Sequence, residues 1–356
     1  MKILDLFCGC GGISEGFQLA GFDVAGGIDF NPESIETYRK NFPKAQAIVA
    51  DLSLFNEQRI INEFGGLSID VIVGGPPCQG FSSANRWHKE KDDIRNKLFF
   101  EFLRFVSVLK PPVVLIENVR GILTRDGGFA KKRIEELVIS LGYQVSSAVL
   151  NSSDFGVPQN RFRAFFVATK LGPSQKEFDF VKLKKLNPVN VKEAIGELYS
   201  FNEEGKHSWL LKRKPVGDYC QYLRSKTGEV VNHEVRFPAE VTQKRISHVP
   251  QGGNWANIPK ILFKNQRNNR HSSAYKRLKE DECSVTIDTG NAHSNYFHPL
   301  YNRIPTVREA ARIQSFSDNF IFVGTRTSQY RQVGNAVPPL LAKAIALEIK
   351  KILKKK

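Results

Sequence analysis

Cysteine, long apolar runs and acidic side chains are all in short supply in this chain of 356 residues. Its five cysteines (Cys8, Cys10, Cys78, Cys220 and Cys283) are an odd and sparse set. That excludes a disulfide-stapled secreted scaffold and points to a reducing compartment with room for a functional thiol. No apolar stretch approaches the roughly 20 residues that span a bilayer. Met1 leads straight into the strand-like Ile3-Leu4-Asp5-Leu6-Phe7 instead of a signal peptide. A cytoplasmic protein without membrane association is therefore expected. What the chain does have is 41% hydrophobic and 25% charged residues, the balance of a folded protein, in a length that exceeds one ordinary core. Two domains are the default.

The acidic shortage is not uniform. Residues 1–170 hold 20 basic and 19 acidic side chains, whereas 171–356 hold 32 and 17, so the second half carries nearly all of the +16 net charge. A near-neutral half followed by a basic half with Trp209, Tyr219, Tyr222 and Trp255 is the footprint of a polyanion-binding module joined to something else. A solubilising charge excess explains the composition about as well, and the motifs have to decide.

Short β-branched runs alternate with longer amphipathic stretches through the first half, the pattern of a doubly wound parallel sheet. Strands are expected at Lys2 to Phe7, Asp23 to Asp29, Ala45 to Asp51, Ile69 to Gly74, Pro112 to Glu117, Gln144 to Leu150 and Phe162 to Thr169. In such sheets ligands bind beyond the carboxyl ends of the strands. There the sequence reads Cys8-Gly9-Cys10-Gly11-Gly12, Asp29, Asp51, Pro76-Pro77-Cys78 and Glu117-Asn118. After Thr169 the pattern gives way to Lys-rich, Pro-rich and polar segments, read as a second domain of irregular strands and loops over about 171–300. Helical period returns at Val307 to Ile313 and Leu340 to Leu353, and this stretch is expected to rejoin the first domain.

A strand, a Gly-rich turn and a helix let a bound cofactor approach the backbone closely, and Asp29, closing the second strand, suits two ribose hydroxyls. With Asp51 on the third strand and the phosphate-clasping third Gly spacing missing, an adenosine without a pyrophosphate fits better than a dinucleotide. S-adenosylmethionine is the natural candidate. Phe30 can lie flat on the adenine or serve as a core aromatic, the two readings being about even. Cys8 and Cys10, one residue apart and without nearby histidines, read as small turn residues, and no metal is expected.

Gly74 to Ser82 is the most specific segment: two glycines end a buried strand and Pro76-Pro77 fix a rigid turn that presents Cys78, a nucleophile in the favoured reading. One strand over, Glu117 ends the apolar run Pro112 to Ile116, where desolvation should help it hold a proton, unless it is a structural carboxylate. Arg161 and Arg163 enter a strand on one face.

Taken together, Asp5 to Gly12, Gly75-Pro76-Pro77-Cys78-Gln79, Glu117-Asn118-Val119, Gln159-x-Arg161-x-Arg163, Arg308 to Phe316 and Gln332 to Pro338 resemble, in the usual order, the DNA cytosine-C5 methyltransferases of bacterial restriction and modification systems. The resemblance implies an α/β fold: a Rossmann-like S-adenosylmethionine-dependent methyltransferase sheet with a smaller, irregular target-recognition domain. The catalytic and cofactor-binding domain would be 1–170 plus 301–356, and the target-recognition domain 171–300. It implies that Cys78 adds to C6 of a flipped cytosine in a short specific duplex sequence, that Glu117 bonds the N3 and N4 edge, that Arg163 reaches O2, and that Arg161 organises the site. Phe7, Gly9, Gly11, Asp29, Phe30, Asp51, Pro76, Leu98 and Asn335 become the expected shell of S-adenosylmethionine, with S-adenosylhomocysteine as product. Ser82 and Arg86, in a segment resembling the family's mobile loop, are expected at DNA phosphates. Gly252, Gly253 and Asn254 can approach base edges closely and Arg267 or Arg270 can read guanine, with plain loop or phosphate contacts as the alternative for each. A monomer acting on double-stranded DNA is implied, with a separate cognate restriction endonuclease. The rival readings are a same-fold tRNA cytosine-C5 methyltransferase and a catalytically silent DNA-binding regulator. The long basic insert disfavours the first, and intact Cys78, Glu117 and Arg163 disfavour the second.

Overall fold

The computed structural model describes residues 1–77, 94–170, 177–206, 209–263, 274–287 and 296–354. Cys78, Ser82, Arg86, Arg267 and Arg270 lie outside them. By contacts the described chain divides into two compact units: 1–155, 162–185 and 337–356 form one, and 156–161 with 186–336 form the other.

The first unit is built on a seven-stranded sheet. In chain order it holds β1 (Lys2–Leu6), α1 (Gly12–Leu19), β2 (Asp23–Asp29), α2 (Pro32–Asn41), β3 (Gln46–Val49), α3 (Glu57–Phe64), β4 (Val71–Gly74), α4 (Ile94–Leu109), β5 (Val113–Val119), α5 (Phe129–Ile139), β6 (Gln144–Asn151) and β7 (Phe162–Thr169). The spatial order is β3-β2-β1-β4-β5-β7-β6. Period-two alternation decides which side chains meet which helices. Leu4, Leu6, Ile72, Val114 and Ile116 point to one layer, against Phe99, Phe102 and Phe105 of α4 and Ile134 of α5. Ile3, Val71, Val73, Val113 and Leu115 point to the other, against Phe17 of α1 and Leu341, Ile345 and Ile349 of the C-terminal helix. Each such fully buried side chain contributes about 1.5–3 kcal/mol. Apolar strands packed on both faces are what a central α/β sheet requires. Helix starts are set by side-chain caps: Asn31 accepts from the Ser34 N–H at 2.9 Å ahead of Pro32, and Asn56 from the Arg59 N–H at 2.8 Å.

One expectation needs correction. The sheet is not wholly parallel, because β7 runs antiparallel to both β5 and β6. The segment between β6 and β7 contains a single 3-10 turn at Ser152–Phe155 and no crossover helix, and a parallel return needs such a crossover.

The second unit carries α6 (Val191–Ile195), β8 (Trp209–Leu210), α7 (Gly217–Leu223), β9 (Glu229–Val230), α8 (Glu240–Ser247), β10 (Lys276–Arg277), β11 (Tyr296–Phe297), α9 (Val307–Ile313) and α10 (Arg326–Asn335). Its described strands are two residues long, in keeping with the irregular segment expected there. The final helix, α11 (Pro339–Lys354), returns to the first unit, but residues 301–336 pack with the second. The reason is a buried ionic weld. Arg312 pairs with Glu197 at 3.3 Å, and Arg303 and Arg308 donate to the Asn202 side-chain oxygen and the Val231 carbonyl at 2.8 and 2.9 Å, while the Arg303–Glu309 pair at 2.7 Å and the Arg312–Asp318 pair at 2.6 Å brace the segment itself. Tyr219 and Tyr222 donate to the Arg312 and Ser315 carbonyls at 2.6 and 2.8 Å. All seven residues of α9 are buried. Breaking one partner of such a pair leaves an uncompensated buried charge, so this segment cannot part from 186–300 cheaply.

Candidate active site

The turn after β1 is shaped by backbone conformations that side chains resist. Phe7 takes φ 60°, Gly9 φ 53° and Gly11 φ 99°. For a bulky residue such as Phe7 this is a strained conformation of the kind that collects at ligand sites. Asp29, closing β2, braces the turn: Oδ2 accepts the Gly9 N–H and Oδ1 the Asn31 N–H, both at 2.9 Å. Burial raises its pKa, against hydrogen bonds from Asn31, Gly9 and Phe30 that lower it. A carboxylate offers about four lone-pair positions, so acceptor capacity remains. Phe30 stands 74% exposed beyond the strand end, which removes the core-aromatic reading. A Cβ at Gly9 would meet nothing within 4 Å, so the turn has open space in front of it. Asp51, exposed at the end of the third strand, accepts the Ser53 N–H at 2.8 Å, and that bond lowers its pKa. Pro76 is buried and Leu98 half-buried.

Beneath the turn lies a group the sequence did not single out. Asp5 is 1% exposed; its Oδ2 accepts from the Ser14 hydroxyl at 2.7 Å, and Ser14 meets the Tyr38 hydroxyl at 2.8 Å. Asp5 Oδ1 has no hydrogen-bond partner among the described residues. Burial pushes the Asp5 carboxyl up to about 7, and burial does the same to Glu15 on α1. A carboxyl that keeps its proton in the fold but loses it in the unfolded chain makes stability fall as pH rises from about 4 to about 7, after which the loss is complete. Asp5→Asn removes one such group and leaves an acceptor for Ser14. Urea unfolding at pH 5 and pH 8 should show a smaller stability difference in the variant than in the native protein; an unchanged difference would mean that Asp5 is ionised at both. Cys8 and Cys10 are buried free thiols, and burial raises both pKa values, so neither is a ready nucleophile.

The chemical end joins β4, β5 and β7. Gly74 pairs with Ile116 across the parallel β4–β5 ladder, which puts Glu117 and Asn118 beside the Gly75-Pro76-Pro77 turn. The Asn118 carboxamide donates to the Pro76 carbonyl at 3.0 Å. This ties the strand carrying Glu117 to the segment that runs into Cys78. Arg163 Nε lies 3.0 Å from Glu117 Oε1 with both side chains largely buried, so the carboxylate is paired instead of lying alone in an apolar pocket. Sequence reading placed both residues but not the bond between them, and missed Asn118 as a tether; the signal was its position directly after Glu117. Gly75 was also undervalued. A Cβ there would sit 3.0 Å from Glu117 Oε2. Gly75→Ala is expected to push the carboxylate aside and slow whatever reaction Glu117 serves roughly tenfold, since small misplacements at a reacting centre are costly. Unchanged single-turnover rates would show that Glu117 has slack.

Arg161, read from its spacing as a neighbour of Arg163, belongs to the second unit. It is buried, with Nη1 at 3.4 Å from the Ile287 carbonyl and Nη2 at 2.8 and 3.5 Å from those of Gly334 and Asn335. Gln159 accepts the Ile287 N–H at 2.9 Å and donates to Gln314, which in turn holds the Val333 and Ala336 carbonyls at 3.0 and 2.8 Å. Three of the sequence blocks thus interlock within one unit, with Asn335 exposed at the end of α10. Gly252 and Gly253 exchange backbone hydrogen bonds with Arg277 at 3.0 and 3.1 Å, and Asn254 caps the next turn through the Ala256 N–H at 3.0 Å. Among the described residues no group of three His, Cys, Asp or Glu is placed to hold a metal ion.

Comparison with known proteins places the chain among relatives over nearly its whole length. Residues 1–351 match the C-5 cytosine-specific DNA methylase family. The Type II methyltransferase M1.HphI of Haemophilus parahaemolyticus is 37% identical over 99% of this chain and 87% of its own length. The Type II methyltransferase M.DdeI of Desulfomicrobium norvegicum is 34% identical over 98% and 88%. Among solved structures, an Escherichia coli prophage protein described as a DNA modification methyltransferase superposes with a TM-score of 0.81 at 29% identity over 99% of both chains. The Dnmt2 methyltransferase of S. pombe shares the fold at a TM-score of 0.62 and 17% identity over 100% and 99%.

Proposed function

Because the chain belongs to the C-5 cytosine-specific DNA methylase family and is a DNA (cytosine-5-)-methyltransferase, we propose that Cys78, Glu117, Arg161 and Arg163 carry its chemistry as follows. The observation that carries the reading is the Glu117–Arg163 pair at 3.0 Å, tied through Asn118 to the turn that leads into Cys78. Cytosine C5 does not attack an electrophilic methyl until a nucleophile adds at C6. The Cys78 thiolate forms that S–C6 bond, and N3 takes up a solvent proton relayed by the Arg163-paired Glu117 as the ring becomes an enamine. Arg163, held against Glu117, donates toward O2, where negative charge builds. Arg161 acts at one remove, through the backbone carbonyls it gathers. S-adenosylmethionine, the methyl donor the family implies, supplies a sulfonium methyl when bound. Once C5 is methylated, its proton passes to a water molecule, the pair left behind reforms the C5–C6 double bond as the S–C6 bond breaks to release the Cys78 thiolate, and Glu117 recovers the N3 proton.

The turn fits such a donor: the open face of Gly9, the remaining acceptors of Asp29 and the exposed ring of Phe30 suit an adenosine, and the left-handed turn at Phe7 to Gly11 suits close backbone approach. We assign Phe7, Gly9, Gly11, Asp29, Phe30, Asp51, Pro76, Leu98 and Asn335 to its shell. The segment containing Ser82 and Arg86 is assigned to DNA phosphates. Residues 171–300, with the Gly252-Gly253-Asn254 turn, are assigned to target recognition, and 1–170 with 301–356 to catalysis. The protein is read as a cytoplasmic monomer acting on double-stranded DNA beside a separate restriction endonuclease.

Transfer of labelled methyl from S-adenosylmethionine to unmethylated duplex DNA and, separately, to tRNA tests this, with base-resolution mapping of the product. Label at one recurring DNA motif is the expected result. Label confined to tRNA would keep the chemistry and overturn the substrate, and no label in either would favour a binding-only protein.

A further inference from the structure

We propose that Arg120 and Phe162 form a preset clamp for a DNA backbone phosphate beside the flipped cytosine. The proposal rests on the reading of Glu117 and Arg163 as the base-holding pair. On the antiparallel β5–β7 ladder the last cross-strand partners are Val119 and Arg163. Phe162 opens β7 one residue before Arg163, and Arg120 opens the 3-10 turn that follows β5. They meet there, the Arg120 guanidinium lying 5.6 Å above the Phe162 ring.

Two features make this pair unlike its surroundings. Phe162 is 39% exposed and Val119 58% exposed, an apolar surface at the end of strands whose interiors are buried. In the same unit Arg39, Arg59, Arg104, Arg133 and Arg163 each approach an oxygen of a carbonyl or carboxylate, and of the exposed arginines without such a partner, Arg120 and Arg125, Arg120 is the one that lies over an aromatic ring. Arg120 is exposed and has no hydrogen bond or ion pair among the described residues. A guanidinium resting on an aromatic face keeps its planar edge of N–H donors free and loses little freedom when it binds. Its fork of donors matches a phosphate bidentately.

Alternation along β5 and β7 sends Glu117, Val119 and Arg163 to one face of the sheet and Phe162 to the other, and Arg120, opening the 3-10 turn after β5, meets Phe162 there. The clamp is therefore offset from the base pocket by the thickness of the sheet, which suits a phosphate neighbouring the extruded nucleotide, not the base itself. Ligands enter a sheet of this kind from beyond its carboxyl ends, so a duplex delivering one base to Glu117 has to run its backbone over this rim.

Salt dependence separates a phosphate contact from a packing role, because each neutralised phosphate adds about 0.9 to the slope of log affinity against log salt. The probe is a duplex oligonucleotide containing the motif mapped with the native enzyme. Arg120→Ala should lower that slope by about one and weaken binding roughly tenfold at physiological salt. Arg120→Lys should restore the slope. Phe162→Ala should keep the slope and weaken binding a few fold, through loss of the platform. S-adenosylmethionine affinity and melting temperature should hold in all three. A native slope in Arg120→Ala overturns the clamp, and so does a joint loss of cofactor binding and thermal stability, which would mark Arg120 as structural. If the native enzyme methylates no DNA motif, the parent reading fails and the clamp falls with it, an outcome visible before any variant is made.

Discussion

Replacing Cys78 with serine is expected to lower single-turnover methyl transfer on the order of 10³-fold or more, while S-adenosylmethionine binding by calorimetry stays within about twofold. The reason is chemical. A thiol can reach its anion near neutral pH, and a thiolate is a strong carbon nucleophile, whereas a serine hydroxyl would need a dedicated base to attack C6. None of the described cysteines can substitute: Cys8 and Cys10 are buried with raised pKa values, and Cys220 and Cys283 are pushed up by burial too. The turn of Gly75, Pro76 and Pro77 that leads into position 78 is untouched by the substitution, and so is the Asp29-braced turn assigned to the cofactor. Normal turnover by Cys78→Ser would end the covalent mechanism.

The second large effect is at Glu117. Glu117→Gln should slow methyl transfer by roughly 10²- to 10⁴-fold, the usual range for losing a positioned proton donor, and change DNA affinity only a few fold. Glutamine is nearly isosteric and still offers Arg163 an oxygen at the position now 3.0 Å away, so the pocket keeps its shape. What it cannot do is hand a proton to N3 and take it back. Rates under single-turnover conditions and titration of a labelled duplex report the two quantities separately. A variant that turned over normally but bound DNA a hundredfold more weakly would show that Glu117 holds the base without serving the chemistry.

The strand ends that carry the site were legible because apolar runs buried on both faces stop abruptly at turn residues, as at Leu6, Asp29, Gly74 and Glu117. Burial by a sheet leaves a pattern in the chain; direction within the sheet does not. The reversal of β7 depended on the absence of a crossover helix, which the sequence between Asn151 and Phe162 shows only as an unremarkable polar stretch. The same limit applied to the two arginines. Their alternation predicts a shared face, but the partners that decide their roles are remote: Glu117 is 46 positions from Arg163, and Gly334 is 173 from Arg161. Val307 to Ile313 had a helical period that argued for a packed helix without saying onto what, since a helix buried all round has no solvent face to orient it.

The first unit joins segments far apart in the sequence. The C-terminal helix α11 packs Leu341, Ile345 and Ile349 against the layer that contains Phe17 of α1 and Ile3 of β1, and the Lys350 ammonium caps the end of α1 by donating to the Ala20 carbonyl at 2.7 Å. A ribosome working at about 5–20 residues per second delivers those partners more than 300 positions apart. Throughout that interval the helix following the Phe7–Gly11 turn has an uncovered apolar side, and the whole of 186–336 must be extruded before it can close. Closure of the first unit thus waits on residues 337–354: a nascent chain that already carries the seven strands still lacks the helix that covers α1.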